Sequence, residues 1–87
     1  VDIQPDYLKL DAYLIRGCHK DRIRQAVIRS VVNLASSIES KVVAEGVETA
    51  SEMLALRLLD VELMQGFYLS RPVRIGQAAA FGATLSA

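Results

Sequence analysis

The sequence predicts an α/β domain in which parallel strands are joined by crossover helices. Three observations carry that expectation. Short strand-like runs alternate with longer helical ones in the order β-α-β-α-β-α, which favours parallel strands linked by right-handed crossovers. The second and third of these runs each stop at a polar residue followed by glycine, at Glu45-Gly46 and Gln65-Gly66. The 87 residues are 52% apolar, so a short chain carries much to bury and disorder is not expected.

The first strand candidate is Tyr7-Leu8-Lys9-Leu10-Asp11. Its period-two alternation places Tyr7, Lys9 and Asp11 on one face and Leu8 and Leu10 on the other. A polar link with Gly17 and His19-Lys20-Asp21 follows. The first long helix starts after Asp21, a suitable N-cap. Ile23, Val27, Val31, Leu34, Ala35 and Ile38 form its expected apolar stripe. Arg22, Arg24 and Arg29 lie mostly off that stripe and read as a solvated face.

Lys41-Val42-Val43-Ala44-Glu45 is the second strand candidate, rich in β-branched residues. Thr49-Ala50-Ser51-Glu52 then reads as a capping box opening the next helix. Met53, Leu54, Leu56, Leu58 and Leu59 are dense enough to predict burial on more than one side. Val61-Glu62-Leu63-Met64-Gln65 is the third strand candidate. Arg71-Pro72 reads as a turn, and a last Ala-rich helix is expected from about Ile75 to Leu85.

Composition narrows the function classes. Ten basic and ten acidic residues cancel, and the pI is about 6.8. With no basic excess, non-specific binding of a nucleic-acid polymer is not expected. Cys18 is the single cysteine, so no disulfide forms within the chain, which fits a reducing cytoplasm. No run reaches the roughly 18 apolar residues of a membrane span. The first residues, Val1 to Asp6, include neither an initiator Met nor a signal-peptide pattern, and read as the middle of a domain.

Lys9, Glu45 and Gln65 fall near the ends of the three strand candidates. Ligands bind at the C-terminal strand edge of parallel α/β folds. A lysine, a carboxylate and an amide at one such edge suit a phosphate, a metal-bound water and a base edge or hydroxyl. Polar residues also end strands simply because the chain leaves the core there. Glu45 at a strand mouth can bind a divalent cation or accept a proton from water. Glu48, three residues on, either joins that chemistry or answers the macrodipole of the next helix. His19 is expected to be solvent-exposed, Cys18 inert, and Met53 and Met64 core filler. Phe67 and Tyr68 suit either stacking on a base or packing under the last helix.

Pro5-Asp6-Tyr7-Leu8-Lys9-Leu10-Asp11, Val42-Val43-Ala44-Glu45-Gly46-Val47-Glu48-Thr49 and Gln65-Gly66-Phe67-Tyr68-Leu69-Ser70-Arg71-Pro72 together resemble the C-terminal part of an EAL domain, the bacterial family of cyclic-di-GMP phosphodiesterases. The resemblance implies a partial (β/α)8 TIM-type barrel, with residues 1–87 as its last three βα units. It implies hydrolysis of cyclic di-GMP to linear pGpG by water activated by two ions, Mg²⁺ or Mn²⁺. By resemblance Lys9 lies near the attacking water and phosphate, Glu45 belongs to the metal-water centre, Glu48 supports the site loop, and Gln65 lines the guanine pocket. The Glu-Ala-Leu signature and most metal-ligand positions are absent from this chain. One matched acid, Glu45, cannot hold two cations that each want about six ligands. The chain alone is therefore expected to be inactive. The alternative is a non-catalytic cyclic-di-GMP-sensing or assembly module. Asp60 stands where the family commonly has glycine, so that turn is expected to differ. The inner strand faces are expected to leave Val, Leu and Met uncovered. Self-association, or covering by the rest of the domain, is expected to follow.

Overall fold

The computed structural model describes residues 1–3, 6–66 and 69–75. Among these residues nine elements follow one another: β1 (Asp2–Ile3), β2 (Tyr7–Leu10), α1 (Ala12–Ile15), a 3₁₀ turn (Cys18–Lys20), α2 (Arg22–Ser37), β3 (Lys41–Glu45), α3 (Ala50–Leu58), β4 (Leu63–Gly66) and β5 (Leu69–Arg74). They build a five-stranded sheet in the order β1-β2-β3-β4-β5. The expected parallel trio is present: β2 pairs with β3, and β3 with β4, both parallel. Two flanking strands were not anticipated, and both are antiparallel, β1 on β2 and β5 on β4. Arg71 and Pro72 lie within β5 rather than in a turn. The correction has a simple cause: β5 is an edge strand, where a proline's missing N–H is tolerated. Pro5, Phe67, Tyr68 and the last-helix expectation beyond Ile75 fall outside the described residues.

Alternation along the strands separates two faces. Leu8, Leu10, Val42, Ala44 and Met64 face a core completed by Ile15, Cys18, Ile28, Val31, Ala35, Val47, Leu56, Val61 and Ile75. The opposite face carries Tyr7, Lys9, Val43, Glu45, Leu63 and Gln65. The expectation of an uncovered Val, Leu and Met surface is thus corrected. Leu8, Leu10 and Met64 lie under the helices, and the open face is largely polar. Val43, the fully buried exception, stands in one row between Lys9 and Leu63.

Asp21 caps α2 by accepting from the N–H groups of Ile23 and Arg24, as its position predicts. The face that α2 buries differs from the expected stripe. Ile28, Val31 and Ala35 are buried, whereas Ile23 is 78% exposed and Val27, Leu34 and Ile38 are also exposed. Apolar residues occupy nearly half the circumference of this helix, so its own periodicity does not choose the phase; the sheet does. Arg22 and Arg29 are solvated as expected, but Arg24 is half-buried. Its guanidinium pairs with Asp21 at 2.6 Å, donates to the Tyr13 carbonyl and lies 4.8 Å above the Tyr13 ring.

The capping box opens α3 as predicted, with Thr49 Oγ1 accepting from Glu52 N and the Glu52 carboxylate accepting from Thr49 N. The expected burial of α3 on several sides is corrected. Leu56 is buried, but Leu58 is 76% exposed and Leu54 is exposed as well. These two side chains point away from the sheet, where no further layer covers them among the described residues.

Both long helices stop in the same way. Glu39 after α2 and Asp60 after α3 adopt left-handed backbone, φ 58° and 67°. The next N–H turns back five residues, from Ser40 to the Ala35 carbonyl and from Val61 to the Leu56 carbonyl, both at 2.9 Å. These are Schellman turns. Asp60 therefore keeps the backbone a glycine would adopt, against the expectation of an altered turn. Val61 belongs to that turn and not to β4, its buried side chain meeting the core beside Leu56.

Candidate functional site

Lys9, Glu45 and Gln65 come together on the open face of the three parallel strands. Lys9 is the register partner of Val43, and Glu45, two residues further along β3, is the partner of Gln65. Period-two alternation then sets all three side chains on one face. Lys9 Nζ lies 3.8 Å from Glu45 Oε1, with the two side chains 30% and 40% exposed. The lysine thus stands beside a carboxylate at the strand mouth. Gln65 Oε1 is buried and has no hydrogen-bond partner among the described residues. Leaving such an acceptor unpaired costs about 1–3 kcal/mol, so it is ready for a donor.

Glu48 does not sit in the strand register. It lies on the loop after β3, exposed, with its carboxylate 3.4 Å from the Arg16 guanidinium. Gly46, between the two acids, has φ +74°. A Cβ placed there would stand 2.7 Å from Ala12 Cβ and 3.3 Å from Ala12 Cα. Both facts demand glycine, the first for backbone conformation and the second for space. Ala12 opens α1, which is capped by Asp11 directly after the strand of Lys9. The exits of β2 and β3 are thus pressed together.

The same two exits share a buried carboxylate that the motifs did not single out beyond its capping role. Glu52 is 4% exposed. Its Oε1 accepts from Glu48 N at 3.0 Å and Thr49 N at 3.2 Å, and its Oε2 accepts from Gly17 N at 2.8 Å. Burial pushes this carboxyl up, but the three backbone donors, with His19 nearby, outweigh burial and hold it below the usual carboxylate range. The bond to Gly17 spans 35 residues of chain. No local pattern announces it.

Cys18 is fully buried, and burial pushes its thiol up, with the charge of Glu52 adding to the effect. A buried thiol pushed up in this way fits the expectation of an unreactive residue. His19 departs from expectation: it is half-buried, and its Nδ1 is buried without a hydrogen-bond partner among the described residues. The reason is tertiary, since the 3₁₀ turn that carries it packs against α3. Among the described residues no group of three or more His, Cys, Asp or Glu side chains is placed to hold a metal ion.

Residues 1–72 match the family described as the EAL domain. The cyclic di-GMP phosphodiesterase PdeR of Escherichia coli K12 is 35% identical over 68 residues, 78% of this chain and 10% of that protein. A standalone EAL protein from Vibrio cholerae O395, solved in its c-di-GMP-bound form, superposes with a TM-score of 0.70 at 38% identity, over 85% of this chain and 31% of that one. Klebsiella pneumoniae BlrP1, solved at pH 9.0 as a manganese and cyclic-di-GMP complex, gives 0.71 at 42% identity, over 84% of this chain and 19% of that one. The chain spans about a tenth of the length of the curated relatives it matches.

Proposed function

The chain belongs to the EAL domain family, and on that premise we propose that residues 1–87, the C-terminal portion of a single barrel domain, supply one rim of a cyclic-di-GMP phosphodiesterase site. The observation that carries this reading is the approach of Lys9 and Glu45 to 3.8 Å, with Gln65 beside Glu45 in register, at the C-terminal ends of three parallel strands. That edge is where barrel enzymes hold their chemistry. The phosphodiesterase name of PdeR and the bound dinucleotide of the Vibrio and Klebsiella proteins support the substrate class.

In this reading Lys9 neutralises charge on the phosphate under attack. Glu45, 3.8 Å from that ammonium, takes the proton of the attacking water. The water oxygen bonds to phosphorus, one phosphate–O3′ bond breaks, and the freed oxygen takes up a proton, which leaves linear pGpG. Gln65 offers its unpaired Oε1 to a donor on a guanine edge. Glu48 acts behind the site, supporting the loop through Arg16. Glu45 is a carboxylate of this face that would hold a divalent ion, Mg²⁺ or Mn²⁺; the manganese complex of the Klebsiella protein supports that ion class. The other ligands belong to barrel strands outside this chain, so the 87 residues alone are inactive.

Conversion of cyclic di-GMP to pGpG by the intact domain tests the reading. Glu45→Ala should lower kcat by about 10²- to 10⁴-fold, the range of a lost general base. Gln65→Ala should weaken dinucleotide binding in calorimetry. Binding left unchanged by both substitutions would remove the site from these strand ends. Turnover by the isolated 87 residues would overturn the ligand count. That same count favours a second reading, a non-catalytic module that senses cyclic di-GMP or assembles. The exposed Ile23, Val27, Leu34 and Ile38 of α2 support self-association or covering by the rest of the barrel. No helix among the described residues is long and apolar enough to cross a membrane. We place the domain in the cytoplasm, where a lone buried Cys18 stays reduced.

A further inference from the structure

A capping box needs one bond from the acid to the N-cap N–H. Glu52 makes that bond to Thr49 and two more, to Glu48 N and Gly17 N. The last of these leaves the helix altogether and reaches the turn beyond α1. Resting on the reading of the site given above, we infer that Glu52 is a positioning residue for Glu45: its buried carboxylate ties the chain leaving β3 to the chain leaving β2, and so holds the Glu45 carboxylate at its distance from Lys9.

Covalent connection makes this coupling short. Lys9 is followed at two residues by Asp11, the cap of α1, and α1 leads directly to Gly17. Glu45 is followed at once by Gly46, and then by the Glu48 and Thr49 amides that Glu52 holds. Between these anchors Gly46 rests against Ala12 with no room for a Cβ, and Arg16 meets Glu48 at 3.4 Å. Glu52 is the one member of this set that binds both exits through backbone, whose positions follow the strands rigidly. A carboxylate suits the task because it offers about four acceptor sites and no donor, while all three of its partners are N–H groups. An amide would keep the two bonds at Oε1 and turn an N–H₂ group toward the Gly17 N–H. Misplacement of a reacting group by about 1 Å costs roughly 100-fold in rate, so a loosened exit should be read in turnover before it is read in binding.

The experiment uses the intact domain, with turnover of cyclic di-GMP and amide hydrogen exchange measured in parallel, below the melting point of each variant. Glu52→Ala should lower kcat by about 10- to 100-fold and leave KM within about twofold. Exchange should quicken at Gly17, Glu48 and Thr49 and stay unchanged at Leu14, which Asp11 caps independently. Glu52→Gln should fall between wild type and Glu52→Ala in kcat, with faster exchange confined to Gly17. This second variant carries the test if Glu52→Ala does not fold. A purely structural role would lower the melting temperature and leave kcat per folded molecule at the wild-type value; that result overturns the inference. Wild-type protection at all three amides in Glu52→Gln and Glu52→Ala overturns it independently of turnover. Failure of the functional reading looks different: the wild-type domain would not hydrolyse cyclic di-GMP, or Glu45→Ala would turn over at the wild-type rate.

Discussion

Among the described residues, those with left-handed backbone on the chain leaving β2 and β3 are glycines, Gly17 and Gly46; on the chain entering β3 and β4 they are acids, Glu39 and Asp60. The upper rim presses its two exits against each other. Gly46 has no space for a Cβ, and Glu52 spends its three hydrogen bonds there. The lower rim is looser. Its two Schellman turns leave each acid free to project, and a cleft of about 220 Å³ opens there between Val32, Ser36, Lys41, Asp60 and Glu62. That cleft lies at the opposite end of the strands from Lys9 and Glu45. The difference teaches where the chain tolerates strain. A left-handed non-glycine residue costs roughly 1–2 kcal/mol, and it persists at the rim where nothing must be held to a fraction of an ångström. Barrel folds divide their labour in the same way, with chemistry at the C-terminal face and stability at the other.

Gly46→Ala should break the upper rim most severely. It combines backbone strain with a 2.7 Å approach to Ala12 Cβ, and the two together should destabilise the intact domain by about 3 kcal/mol in urea unfolding. A loss under about 1 kcal/mol would mean that the two exits are not in contact.

Removal of the Glu52 carboxylate comes next. Glu52→Ala leaves three backbone donors without their partner, worth about 2 kcal/mol. The pH dependence follows from the direction of its shift. The folded carboxyl is held below its unfolded value, so its contribution is complete above about pH 4.3 and is lost as pH falls through the folded value. Unfolding followed against pH should therefore show a shallower acid-side decline in Glu52→Gln than in wild type. Equal slopes would show that the carboxylate is no better held in the folded state than in the unfolded chain.

Gly17→Ala sharpens the comparison, because nothing lies within 4 Å of the added Cβ. Only the backbone conformation is penalised, and about 1 kcal/mol should be lost. A loss equal to that of Gly46→Ala would erase the distinction between a glycine required for space and one required for φ. The smallest effects belong to the lower rim and have the opposite sign. Glu39→Gly should stabilise by about 0.5 kcal/mol and Asp60→Gly by less, because aspartate tolerates left-handed backbone better than glutamate. Thermal melts of the two variants would contradict this if Asp60→Gly gained more.

Much of this molecule is written in short stretches of chain. Lys41–Glu45 is a strand residue for residue, as its β-branched pair favours, and the Asp21 cap and the Thr49–Glu52 box form because each acts within four residues. The joint placement of Lys9, Glu45 and Gln65 was legible too, since parallel strands of period two carry equivalent positions to one edge and one face. The sheet decided the rest. It chose Ile28 over Ile23 for the buried face of α2, because half the helix is apolar and only the partner surface selects the phase. It added β1 and β5, which exist by pairing with neighbours and not by their own propensity. It brought Gly17 to Glu52 across 35 residues, a contact no local pattern encodes, because a hydrogen bond depends on where two segments end in space and not on how far apart they lie along the chain.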